Sequence, residues 1–182
     1  MFGLDTDIGE EPIALMKEFM KQTPFAWPII NIPIPFGGTP MFDNYLANNR
    51  ILKQMPFAFY YFPYLVTTIK NYDPVSFFEK LIELSDFGSS PQMLKLRLES
   101  EPNWKIKIFH YIRNLGKKAF KNRYNELLNM LRSDPQFRAF HEGESQKLPE
   151  FYRKRFDQMI GRYGELLSPE ERTPCLLSLI HI

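Results

Sequence analysis

The residues able to do acid–base, nucleophilic or metal chemistry are few and scattered along this chain. Its three histidines, His110, His141 and His181, stand far apart. None has a second ligand three or four positions away, the spacing that puts two imidazoles on one helix face for zinc. Each is therefore expected to be structural or solvated. The single cysteine, Cys175, has no neighbouring base and no partner for a disulfide or a thiolate metal site, so a cytoplasmic protein is expected. Gly37-Gly38 is too short to cradle a phosphate, and no Walker loop, nucleophile elbow or dinucleotide fingerprint is present. Asp5 and Asp7 flank the start of a helix, where a carboxylate either caps free amides or meets a ligand.

The 182 residues comprise 23 Lys+Arg and 21 Asp+Glu, a formal charge of +2, which excludes a strongly basic nucleic-acid binder and an acidic tail protein. No apolar run approaches the length of a membrane span. The charge is uneven. Residues 1–50 carry six acidic and three basic side chains, whereas residues 103–165 carry fourteen basic and seven acidic ones. The basic half reads as solvated helix faces or as a face toward a phosphate-bearing substrate or partner.

Several elements must position these groups. Phe2 to Asp7 reads as a strand end running into a loop, with Asp7 as a cap for the next helix. Pro12 fits that helix's first turn, and Leu15, Met16, Phe19 and Met20 recur as a buried stripe. Residues 27–34 are apolar and β-branched, hence a strand, although their prolines withhold ladder donors. Phe36 to Pro40 is a turn, and Met41 to Arg50 a helix. Strand, helix, strand, helix implies a parallel βαβ arrangement.

From Pro56 onward six aromatics crowd between Phe57 and Tyr64. They form a core or, alternatively, a lid shaping a substrate pocket. Beyond Tyr72 the chain reads as helix. Asp73-Pro74, Ser90-Pro91 and Asp134-Pro135 each pair a capping residue with a first-turn proline. Residues 104–131 form a long periodic stretch with Gly116 as a candidate interruption. A further helix starts at Pro149. This helical tail is expected to bury its own stripes, including Ile108, Ile112 and Leu115.

The segments Phe2-Gly3-Leu4-Asp5-Thr6-Asp7 and Ile32-Pro33-Ile34-Pro35-Phe36-Gly37-Gly38-Thr39-Pro40-Met41-Phe42 resemble the last two strand–helix units of a radical S-adenosylmethionine enzyme. The subgroup it is most similar to carries an N-terminal cobalamin-binding domain. Lys70 to Pro74 and Phe137 to Gly143 are similar to that subgroup's C-terminal helical domain of unknown function. The family's Pro-Gly-Thr-Pro is Gly37-Gly38-Thr39-Pro40 here, which loosens the turn.

The resemblance implies an α/β part, the end of a (β/α) radical S-adenosylmethionine barrel, over 1–52. An aromatic connector over 53–73 and a helical domain over 74–167 follow. Gly3, Leu4, Asp5, Ile32, Pro33 and Pro35 would line the adenine and ribose side of the S-adenosylmethionine pocket, though Ile32 also suits plain core packing. Tyr60 and Tyr61 would face a small-molecule or lipid-like substrate. The 4Fe–4S cluster and the cobalamin would be held by a preceding part of the same polypeptide, and residues 1–40 would expose apolar positions at the cut edge, among them Phe2, Leu4, Ile30, Ile32 and Ile34. Residues 168–176 read as a polar tail. Residues 177–182 (Leu-Ser-Leu-Ile-His-Ile) match a translated sequencing adapter and are expected to be dispensable. A non-catalytic helical interaction module is the other reading.

Overall fold

The computed structural model describes residues 1–26, 29–166 and 168, and for 117–120 the backbone alone. The expectations for residues 169–182, including Cys175, His181 and the adapter-like end, lie outside the described residues. Seven α-helices are named here in chain order: α1 Glu11–Gln22, α2 Pro40–Ala47, α3 Pro74–Gly88, α4 Pro91–Ser100, α5 Trp104–Ser133, α6 Pro135–His141 and α7 Glu150–Ile160. Short 3-10 turns cover Phe57–Phe59 and Gly161–Leu166.

The proline-led starts fold as their chemistry dictates. Asp73 accepts the amide hydrogens of Val75 and Ser76, Ser90 that of Met93, Asp134 those of Gln136 and Phe137, and Thr39 that of Phe42. In each case a proline follows the cap at a position whose amide has no helical partner. Gly116 does not interrupt α5.

The expected α/β part is overturned. No strand and no sheet form among the described residues, and the single isolated bridge, Ile51 with Thr67, is antiparallel. Residues 1–4 and 29–35 have no regular secondary structure. They meet through one bond, from the Phe2 amide to the Asn31 carbonyl at 2.9 Å. Pro33 and Pro35 remove alternate donors from the second segment, which prevents the regular pairing a parallel sheet needs. The partial barrel therefore does not exist in this structure.

The chain divides into two compact units. The first comprises Met1–Asn31 and Lys70–Asn129. In it α1 packs against α3, burying Ile13 and Met20 beside Phe77, Phe78, Leu81 and Leu84. The expected α1 stripe is corrected here: Leu15 and Phe19 are 62% and 63% exposed, because the buried face is set by Ile13 and Met20, rotated from them. Phe2 is fully buried, stacked on Phe77 at 5.2 Å and tilted against Tyr72 at 5.3 Å. The expected exposure of Phe2 and Ile32 is likewise corrected, since both are buried, while Leu4, Ile30 and Ile34 are half-buried. Lys17 with Glu83 and Lys80 with Glu10 tie α1 and its N-terminal flank to α3, and Lys121 reaches Asp86 at 2.7 Å.

The second unit comprises residues 32–69 and those from 130 onward. Its core is aromatic. Phe59 meets Tyr64 at 4.8 Å and Tyr152 at 5.1 Å, and Tyr152 lies against Phe137 at 5.3 Å. Backbone bonds from Leu52 to Val66 and from Thr68 to Arg50 flank the Ile51–Thr67 bridge. The aromatic cluster is thus chiefly core: Phe59, Tyr60 and Tyr64 are buried, whereas Phe57 and Tyr61 are exposed.

Candidate functional site

A hydrogen-bonded polar constellation in the first unit is the loop before α1. Gly3 has φ 102, a left-handed conformation that a residue with a Cβ adopts only under strain. That turn aims two successive amides at one carboxylate: Asp7 Oδ2 accepts from Gly3 N at 2.8 Å and from Leu4 N at 2.9 Å. Asp7 is therefore not the cap of α1. Glu10 occupies that position and makes no side-chain cap bond.

Two residues ahead of α3 hold the same loop from outside. Asn71 Nδ2 donates to the carbonyl oxygens of Asp5 and Asp7, both at 2.9 Å. The Tyr72 hydroxyl donates to the Gly9 carbonyl at 2.7 Å. The Tyr72 phenol is pushed up by burial first and then by the nearby Asp7 and Glu10 charges, against a lowering from Lys80. It stays protonated at neutral pH and keeps donating.

Beside this loop lies an open polar cleft of about 400 Å³, lined by Gly9, Glu10, Asn71, Tyr72, Asp73, Ser76, Glu79, Lys80 and Glu83. Four carboxylates surround one ammonium, Lys80, which pairs with Glu10 and lies 5.8 Å from the Tyr72 ring centre. Gly9 of the loop and its partners Asn71 and Tyr72 line the cleft, so the hydrogen-bonded loop forms one wall of a polar opening.

The residues expected to line a nucleoside pocket fall into both units. Gly3 is buried, and Leu4 and Asp5 are half-buried in the Asp7-anchored loop of the first. Ile32, Pro33 and Pro35 are buried in the second, where Ile32 is 3% exposed. Tyr60 is buried against Phe57 and Phe36, and burial pushes its phenol up to about 12. Tyr61 is 43% exposed and packs edge-on against Tyr64.

The two described histidines, His110 and His141, are both buried. His141 is buried, with Nε2 2.9 Å from the Tyr152 hydroxyl, and burial lowers its pKa to about 3. His110 is also buried and lowered, by desolvation first and then by the Arg97 and Arg113 charges. No cluster of three or more histidine, cysteine or acidic side chains suited to a metal exists among the described residues.

Asn71 and Tyr72 escaped sequence reasoning as anchors of the loop. Their position just before Asp73-Pro74 was legible, but nothing local signals a bond to a carbonyl 66 positions earlier. No helix among the described residues is long and apolar enough to cross a membrane. No protein-family model matches the chain, and neither a curated protein nor a solved structure matches it.

Proposed function

We propose that this chain contributes a nucleoside-facing loop and a helical C-terminal region to a radical S-adenosylmethionine enzyme of the cobalamin-binding subgroup. The resemblance of residues 2–7, 32–42, 70–74 and 137–143 supports this reading. The geometric observation that carries it is the 2.9 Å bond from Phe2 to Asn31. It brings the first resembling segment beside the residue that precedes the second.

In that class the 4Fe–4S cluster, when bound, would supply reductive cleavage of S-adenosylmethionine for C-methylation or rearrangement of the substrate. The residues present do not fit the cluster, because the chain has one cysteine and such clusters need several thiolates. Nor do they fit cobalamin: His110 and His141 are buried, and the latter is engaged by Tyr152. Both groups belong, in this reading, to a preceding part of the same polypeptide.

The role left to this chain is positioning. In this reading the left-handed turn at Gly3, which has no Cβ, is where backbone would approach a flat ring. Leu4 supplies apolar contact to the adenine. Asp7 and Asn71 fix that turn from behind, so the loop needs no rearrangement on binding. The substrate is a small or lipid-like molecule, the compartment is the cytoplasm, and nucleic acid is not a partner.

The test is to read the DNA upstream of Met1. This reading expects an open frame running back to a Cys-x-x-x-Cys-x-x-Cys segment. A stop codon followed by a ribosome-binding site just before Met1 supports the second reading, a non-catalytic helical interaction module. The observation that favours that alternative is the large apolar face that α5 presents to solvent: Trp104, Phe109, Tyr111, Ile112 and Leu115 are each more than half exposed.

A further inference from the structure

The first half of α5 is inside out. Its periodic apolar residues, Trp104, Ile108, Ile112 and Leu115, recur at spacings of four and three and so share one face. That face points to solvent: Trp104 is 65%, Ile112 57% and Leu115 61% exposed. Phe109 and Tyr111 widen the apolar arc and are likewise more than half exposed. The opposite side, which packs inward, is polar. His110 is buried, Lys107 and Asn114 are half-buried, and Lys121 pairs with Asp86 of α3. A surface helix of a globular protein normally has the reverse arrangement.

Charge identifies what covers this face. Between Trp104 and Asn125 there are seven lysines and arginines and no aspartate or glutamate. At 3.6 residues per turn Arg113, which is exposed, borders the apolar arc next to Phe109. Lys105, at the first turn, holds its ammonium 5.8 Å from the Trp104 ring centre. A second copy of the helix would set these like charges against one another. An uncharged groove would leave them unanswered. An apolar arc with aromatic side chains and a cationic margin fits a helix lying in the headgroup region of an anionic bilayer, with the rings at the acyl boundary and the ammonium and guanidinium groups among phosphates.

We propose that the outward face of α5, from Trp104 to Leu115, docks in the plane of an anionic lipid surface. The chain would then be peripheral to the bilayer, held by one helix. This stands apart from the nucleoside-binding reading and holds whether or not that reading does.

The experiment uses the full chain, residues 1–182, with vesicles of phosphatidylserine and phosphatidylcholine and with vesicles of phosphatidylcholine alone. The Trp27→Phe change leaves Trp104 as the sole tryptophan reporter. Expected results are co-sedimentation with the anionic vesicles, a shift of Trp104 emission to shorter wavelength, and loss of binding in high salt. Ile112→Glu with Leu115→Glu should abolish partitioning while leaving the thermal midpoint unchanged, since both side chains already face water. Lys105→Gln and Arg113→Gln should each weaken partitioning about five-fold, the effect of one charge near an anionic surface. The proposal is overturned by no binding to anionic vesicles, by equal binding to neutral ones, or by vesicle binding that survives the double glutamate variant. Self-association in sedimentation that the double variant removes would also overturn it, by making a second copy the occupant.

Discussion

The side-chain amide of Asn71 lies 2.9 Å from the carbonyl oxygen of Asp5, 66 positions earlier in the chain. The same amide reaches the Asp7 carbonyl, so one side chain ties down both ends of the turn that Asp7 closes from within. Asn71→Ala removes both bonds. At a net contribution of about 1 kcal/mol per bond, it should cost about 2 kcal/mol in urea unfolding. It should also speed amide exchange at Gly3 and Leu4 ahead of global unfolding. Unchanged exchange at those two amides would show that Asp7 suffices alone.

Acid should destabilise the protein through His141. Its folded pKa of about 3 lies below the ordinary 6.5, so between those values the unfolded chain binds a proton that the folded chain refuses. The contribution is fully present above pH 6.5 and is lost as pH falls toward 3. His110 is displaced in the same direction and adds to the slope. His141→Gln should flatten the fall in urea midpoint between pH 6.5 and 4. A slope identical to the parent's would place the acid sensitivity elsewhere.

Arg97 should be a large single contributor to the first unit's stability. It is fully buried, and its Nη1 donates to the Gly88 carbonyl at 2.7 Å, at the C-terminal end of α3, where a cation is favoured. Arg97→Ala leaves a void and a helix-end carbonyl without this donor. We expect a loss of about 2–4 kcal/mol by chemical denaturation. A loss below about 0.5 kcal/mol would mean that water replaces the guanidinium at no cost.

Gly143 should resist substitution. It ends the α6 turn with φ 80, and a Cβ there would sit 3.0 Å from Thr68 Cγ2. Gly143→Ala should lower stability by about 1–3 kcal/mol, from the left-handed backbone and the contact together. In a Thr68→Ser background the contact disappears, and the same substitution should cost less. Equal costs in both backgrounds would assign the whole effect to the backbone.

The helix starts were legible because each is a local device. Asp73-Pro74, Ser90-Pro91 and Asp134-Pro135 specify a cap and a first turn within two residues, and the structure has all three. The strands were misread because an apolar β-branched run says that residues 29–34 prefer extended backbone, not that a neighbour is there to pair with them. Periodicity also failed to give direction. Ile108, Ile112 and Leu115 read as a stripe and are one, but the spacing cannot say whether core or solvent lies beneath it. The anchoring of Asp5 by Asn71 was invisible for a related reason, since it joins segments that only the tertiary fold brings together.

The proposal that this chain is part of a radical S-adenosylmethionine enzyme is tested by 5′-deoxyadenosine formation. The polypeptide extended through its upstream frame, reconstituted anaerobically with iron and sulfide and then reduced, is predicted to convert S-adenosylmethionine to 5′-deoxyadenosine. Residues 1–182 alone, with one cysteine, should yield none. Product from the short chain, or none from an extended polypeptide that has taken up its cluster, would rule that proposal out.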